Sequence, residues 1–142
     1  MKSAVPWHQK TAFEAAIALQ NRSLSAQAYL ADCLAQIDAR ESEVRAFAYI
    51  HRGGAMARAK ALDAQAIQGG MHGLTVGIKD VFDTYDMPTE GGSRAFAGHQ
   101  AVQDAAVLAT LRRAGAVMLG KTVTTELATF PTNGTRNPLN LE

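Results

Sequence analysis

Between Gly73 and Leu119 the chain reads, in order, as strand, loop, helix and strand, and that order constrains its fold more than anything else. Leu74, Val76 and Ile78 alternate with Thr75, Gly77 and Lys79, the period of two of a β-strand. The segment from Asp83 to His99 holds Pro88, Gly91, Gly92, Ser93 and Gly98 and is mostly loop. Asp104 then reads as a helix N-cap, with an apolar stripe at Val107, Leu108, Leu111 and Ala114 and a stop at Gly115. Ala116 to Leu119 forms a short buried strand. Two strands joined through a helix run parallel, so this is a βαβ unit. Parallel sheets are covered on both faces and usually have more strands than the two or three expected here. The expectation is an α/β fold that is incomplete as given.

The stretch before it is Ala-rich and helical in pattern. A short helix is expected from about Trp7 to Gln20, and a second from an N-cap at Ser25 to about Arg40. Ala26, Leu30, Cys33, Leu34 and Ile37 give the second helix one apolar face. Val44 to Ile50 reads as a short strand or extended piece, and a third helix runs from about Gly54 to Ile67, ending at Gly69-Gly70. A short last helix is expected from about Thr124 to Phe130, before Pro131. We therefore divide the chain into a helical N-terminal region, residues 1–69, and the first part of an α/β core, residues 70–142.

Composition excludes several function classes. A formal net charge of +1 gives no electrostatic case for nucleic acid or an anionic membrane. The apolar runs are too short for a membrane span, and the start, MKSAVPWHQK, lacks the apolar core of a secretory signal. The single Cys33 rules out an internal disulfide and fits a reducing, cytoplasmic setting. Asn21-Arg22-Ser23 and Asn133-Gly134-Thr135 match the glycosylation pattern, but without a secretory route they read as chance.

Two motifs lose on inspection. Gly115 to Thr122, GAVMLGKT, fits the phosphate-loop pattern letter for letter. A phosphate loop needs strand, then loop, then helix; here the helix comes first and Ala, Val, Met and Leu form the strand itself. His8, His51, His72 and His99 lack metal-ligand spacing, and Asp80, Asp83 and Asp86 lack the Gly-centred calcium loop; solvated or capping roles are expected for them. Cys33 lies on the apolar helix face and reads as a core residue.

Lys79 poses the remaining question, because an ammonium at the end of an apolar strand is costly to bury unless it is paired or neutral. Its segment, HGLTVGIKD from His72 to Asp80, resembles the one that holds the catalytic lysine of the amidase signature family. Three further segments follow in the family's order. These are MPTEGGS from Met87 to Ser93, DAAVLATLRRAGAVMLGKTVTTELA from Asp104 to Ala128, and TRNPLN from Thr135 to Asn140. Val123 departs from the Asn that many members carry after Gly-Lys-Thr, which is expected to tune packing or substrate class.

The resemblance implies an α/β/α core with a mixed sheet, preceded by Ala-rich helices, and a metal-free, cofactor-free hydrolase of carboxamide C–N bonds. Family members use a lysine, a serine preceded by a cis peptide bond, and a nucleophilic serine, with the lysine acting as a neutral amine through the bridging serine. The lysine carried over is Lys79, as general base; Lys121 matches the Gly-Lys-Thr position and is expected only to support structure. Both family serines follow the Asn-Pro-x-Asn segment, whereas this chain ends at Glu142. Ser3, Ser23, Ser25, Ser42 and Ser93 match neither position. The expected partner is a small-molecule amide, with no nucleic acid and no membrane; the chain by itself is expected to be inactive. A glutaminase-type subunit of the same family would share all these residues. A reading from another class is a non-catalytic interaction fragment whose open sheet edge pairs with another chain, as a homodimer or by self-association.

Overall fold

A computed structural model describes residues 5–129 and 134–141. Among these residues seven α-helices and β-strands follow in order: α1 (Ala12–Gln20), α2 (Ala26–Val44), β1 (Phe47–Ile50), α3 (Arg52–Asp63), β2 (Thr75–Lys79), α4 (Ala106–Arg113) and β3 (Val117–Thr122). The sheet order is β1-β3-β2. β2 runs parallel to β3 across the α4 connection, and β1 pairs antiparallel with the other edge of β3. The βαβ unit and the mixed sheet are therefore as expected.

The caps explain the helix starts. Thr11 and Glu14 form a reciprocal capping box at α1, so Trp7–Gln9 is a separate 3-10 turn and not the first turn of a longer helix. Ser25 caps α2 by accepting from the Ala28 N–H at 3.1 Å. Arg45 closes α2 in the left-handed conformation, later than the expected stop near Arg40. Asp63 supplies a second anchor, accepting from the backbone N–H groups of Ala26 at 2.6 Å and Gln27 at 3.1 Å.

Other boundaries moved. α3 spans Arg52–Asp63, earlier at both ends than its sequence pattern indicates. Asp104 does not cap α4; its carboxylate pairs with Arg112 at 2.7 Å and accepts from the Tyr85 N–H, and Ala105 holds the N-cap position. Val107 points outward at 50% exposure, while Leu108 carries the buried face. The expected helix after Thr124 is only the 3-10 turn Glu126–Ala128, because Leu127 and Ala128 have positive φ. Its expected end at Phe130, and the Asn133 glycosylation match, lie outside the described residues.

Two apolar layers flank the sheet. On one side Leu30 and Leu34 of α2 and Ala55, Ala59 and Leu62 of α3 pack with Val117 and Leu119 of β3. Ala26, Ala55 and Ala59 are at most 1% exposed, so small side chains allow the helices to approach closely. On the other side Leu108 of α4 packs with Ile78, Met118 and Met87. Cys33 sits in the first layer as expected, and burial pushes its thiol up from the usual value.

One irregularity decides where the key side chains go. Val76 is opposite Met118, but Gly77 is opposite Gly120, so Leu119 is an extra residue on β3. The bulge resets the alternation, and Lys121 lies beside Ile78 while Lys79 lies beside Thr122. Gly120 is required there: a Cβ would stand 2.3 Å from the Tyr49 carbonyl oxygen of β1. Gly120 is thus inside a strand and Gly115 precedes it, which removes the phosphate-loop geometry.

Candidate active site

The candidate site lies at the C-terminal ends of the parallel strands β2 and β3. In open α/β sheets this is the edge where ligands bind. Lys79 is the last residue of β2 and shares its face with Thr75 and Gly77. Thr75 touches Cys33 of α2 through its hydroxyl at 3.7 Å, but farther along that face Gly77 and Lys79 are exposed. The desolvation that a catalytic lysine needs is therefore not provided by these residues.

The buried lysine is Lys121. It is 0% exposed and sits on the opposite face, beside Ile78. Its Nζ donates to the Thr89 hydroxyl at 2.6 Å and the Pro88 carbonyl at 3.0 Å, and it pairs with Asp80 Oδ1 at 3.1 Å. Three acceptors match the three N–H bonds of an ammonium. Asp80 is 3% exposed, so the solvated or capping role expected for it is corrected: it is a buried counter-charge. Nothing in the spacing of Asp80, Thr89 and Lys121 along the chain announces this cluster, although Gly-Lys-Thr after an apolar strand was a signal that the position mattered.

Asp80 also organises the chain around it. Its N–H donates to the Thr122 carbonyl at 3.0 Å, continuing the β2–β3 ladder by one residue. Its carboxylate accepts from the Glu90 N–H at 3.3 Å, and its carbonyl accepts from the Gly91 N–H at 2.9 Å. Val81 and Phe82 both donate backbone N–H bonds to the Lys79 carbonyl, at 2.8 and 3.0 Å. The Thr89 hydroxyl, while accepting from Lys121, donates to the Phe82 carbonyl at 3.3 Å.

The loop beyond is tied to the end of β3. Ser93 donates its hydroxyl to Glu126 Oε1 at 2.6 Å, and the Leu127 N–H donates to the Gly91 carbonyl at 2.8 Å. Ser93 is buried in this contact, its hydroxyl proton committed to the Glu126 carboxylate, which is only a weak base. A cavity of about 360 Å³ lies next to this ridge, lined by Asp80, Glu90, Gly92, Ser93 and Thr124.

The other titratable side chains lie elsewhere. His8 pairs with Asp32, His51 approaches Asp86 at 3.6 Å, and His99 is exposed. His72 is buried and accepts from the Gln68 N–H at 3.1 Å; burial, with the Arg22 charge next, holds its imidazole below the usual value. Asp86 is bridged to Arg112 at 2.7 Å. Among the described residues no group of three His, Cys, Asp or Glu side chains is placed to hold a metal ion. Among them, too, no helix is long and apolar enough to cross a membrane.

Comparison with known proteins decides the family. The model of the amidase family matches residues 28–142. The chain belongs to the amidase signature family. It is 38% identical over 121 residues to a glutamyl-tRNA(Gln) amidotransferase subunit of Mycobacterium tuberculosis, covering 78% of this chain and 24% of that one. It is 33% identical to the putative amidase AmiD of Mycobacterium bovis, covering 80% of this chain and 25% of the relative. The native peptide amidase of Stenotrophomonas maltophilia superposes with a TM-score of 0.82 at 27% identity, covering 92% of this chain and 28% of that one. The chain spans about a quarter of the length of the curated relatives it matches.

Proposed function

We propose that the intact protein hydrolyses carboxamide C–N bonds, with Lys79 as the general base. The observation that supports this most is where Lys79 stands: the last residue of β2, side chain unpaired by the cluster beneath it, at the strand ends where an α/β sheet binds its ligand. As a neutral amine it would take a proton from a bridging serine while a second serine attacks the amide carbon, and return it to the departing nitrogen. For that role the face around Lys79 must become dry, and residues outside these 142 would have to cover it.

The 142-residue chain by itself is predicted to turn over no amide. Of its five serines, Ser25 caps a helix and Ser93 is held by Glu126, and none stands in the family positions of nucleophile or bridge. A second reading, a glutaminase-type subunit that releases ammonia for a partner enzyme, is favoured by the 38% identity to a protein named as one subunit of an amidotransferase. The single cysteine fits a cytoplasmic protein under either reading.

The test is ammonia release from glutamine and from a panel of simple and peptide carboxamides, using the intact protein and its Lys79→Ala variant. Turnover by the intact protein that is lost in the variant is expected. Turnover that survives Lys79→Ala would remove Lys79 from the reaction. Glutamine as the sole substrate would select the second reading.

A further inference from the structure

Lys121 is the largest fully buried side chain among the described residues, and neither the hydrolytic reading nor the family's triad gives it a role. A buried ion pair is a poor device for stability alone. Packed apolar side chains of the same volume often serve as well or better, because both charges must leave water. What an ammonium adds is direction. Here it binds Asp80 at one end of the 80–89 loop and Pro88 and Thr89 at the other, so one cation closes the loop on itself.

The residue pinned at the start of that loop is the neighbour of Lys79. Asp80 is held through its N–H by Thr122, through its carbonyl by Gly91, and through its carboxylate by Lys121 and Glu90. The Lys79 carbonyl is held by Val81 and Phe82, and the Phe82 carbonyl by the same Thr89 hydroxyl that accepts from Lys121. The bulge at Leu119 is what puts Lys121 beneath the sheet, so its charge fixes the strand end from below and leaves the Lys79 side chain free above. We propose that the Lys121–Asp80 pair is a positioning device for Lys79, setting the strand end from which that amine reaches its proton. The proposal rests on the reading of Lys79 as the general base.

The test uses the intact protein with a carboxamide it turns over, and three forms: wild type, Lys121→Met, and the double variant Lys121→Met/Asp80→Asn. Lys121→Met leaves an orphaned carboxylate and is expected to lower the melting temperature. The double variant removes that charge while keeping an acceptor for the Glu90 N–H, and should recover most of the loss. If Lys121 positions the base, kcat falls about 100-fold in both variants while KM stays within about threefold, since small misplacements of a reacting group cost that much. Recovery of kcat together with the melting temperature in the double variant would overturn the proposal. Should Lys121→Met fail to fold, the double variant decides alone.

A second readout does not depend on activity. Amide hydrogen exchange of the double variant should be faster at Asp80 and Gly91 but unchanged in α2 and α3, and unchanged exchange at Asp80 and Gly91 would equally overturn the proposal. If the wild type turns over no carboxamide, the reading of Lys79 as base fails, and the exchange measurement alone decides whether the pair fixes the strand end.

Discussion

The two faces of the sheet at the end of β2 carry one lysine each, and they are treated in opposite ways. Above, Lys79 is exposed beside Gly77 and Thr122; below, Lys121 is sealed with Asp80, Thr89 and the Pro88 carbonyl. Both sit near the end of a largely apolar strand, and sequence patterning alone treats them alike. The difference comes from the single extra residue, Leu119, which turns Lys121 to the α4 side, and from the 80–89 loop, which brings acceptors to meet it. Local apolar character does not tell which charge is buried; the register of the neighbouring strand does.

If that division is right, the two lysines fail differently when removed. The largest effect belongs to Lys79→Ala in the intact protein, where removing a general base should cost about 10²–10⁴-fold in turnover. In the 142-residue chain, where Lys79 is exposed, the same substitution should change unfolding free energy by no more than about 0.5 kcal/mol. Chemical denaturation run beside the ammonia assay checks both halves. Lys121→Met should show the reverse emphasis in stability, a loss of about 3–5 kcal/mol, since it leaves a buried Asp80 without its partner. A urea midpoint unchanged by Lys121→Met would mean that the pair is not sealed.

The register can be challenged separately. Gly120→Ala places a methyl group 2.3 Å from the Tyr49 carbonyl and should cost about 1–3 kcal/mol by overpacking. Nucleotides should leave the thermal midpoint of the wild type unmoved, because the glycines of GAVMLGKT serve strand packing. A nucleotide-dependent shift that vanishes in Lys121→Ala would contradict that. The smallest effect concerns pH. His72 is held below its usual 6.5 by burial first and by the Arg22 charge second, so the folded state binds fewer protons there than the unfolded chain. Its contribution is complete above about pH 6.5 and is lost as pH falls through the lower folded value. Denaturation midpoints between pH 7.5 and 5 should fall, and the His72→Gln variant should show a weaker fall.

Much of the fold was legible because the residues carry it locally. The alternation of Val76 and Ile78 with Gly77 and Lys79, the apolar face of α2 and the Ser25 cap all depend on neighbours in sequence and appear as read, whereas Leu74 precedes β2 and packs in the α2–α3 layer. The βαβ handover at Gly115 followed from the same patterns. What was not legible was long-range. Asp104 has the spacing of a cap, yet Arg112 and the Tyr85 N–H claim its carboxylate. Asp80 reads as a solvated charge until Lys121, 41 positions later, is laid across it by strand pairing. The segment after Thr124 has helical composition, but Leu127 donates to Gly91 and its backbone turns left-handed. Lys79 stands out only through the resemblance of its segment, HGLTVGIKD, to the family's lysine segment; the alternation puts it on the face of Gly77, as found, but the dry setting a catalytic lysine needs is not supplied by the described residues.

The central question is which lysine water can reach. Acylating the 142-residue chain under native conditions with a small amine-reactive reagent, and following each lysine by peptide mass spectrometry, measures this without any substrate. Lys79 should react as fast as the exposed Lys60, and Lys121 should react only as fast as the chain unfolds. Labelling of Lys121 at the rate of Lys60, or protection of Lys79 to the level of Lys121, would contradict the division between a lysine kept free for chemistry and a lysine buried to hold it in place.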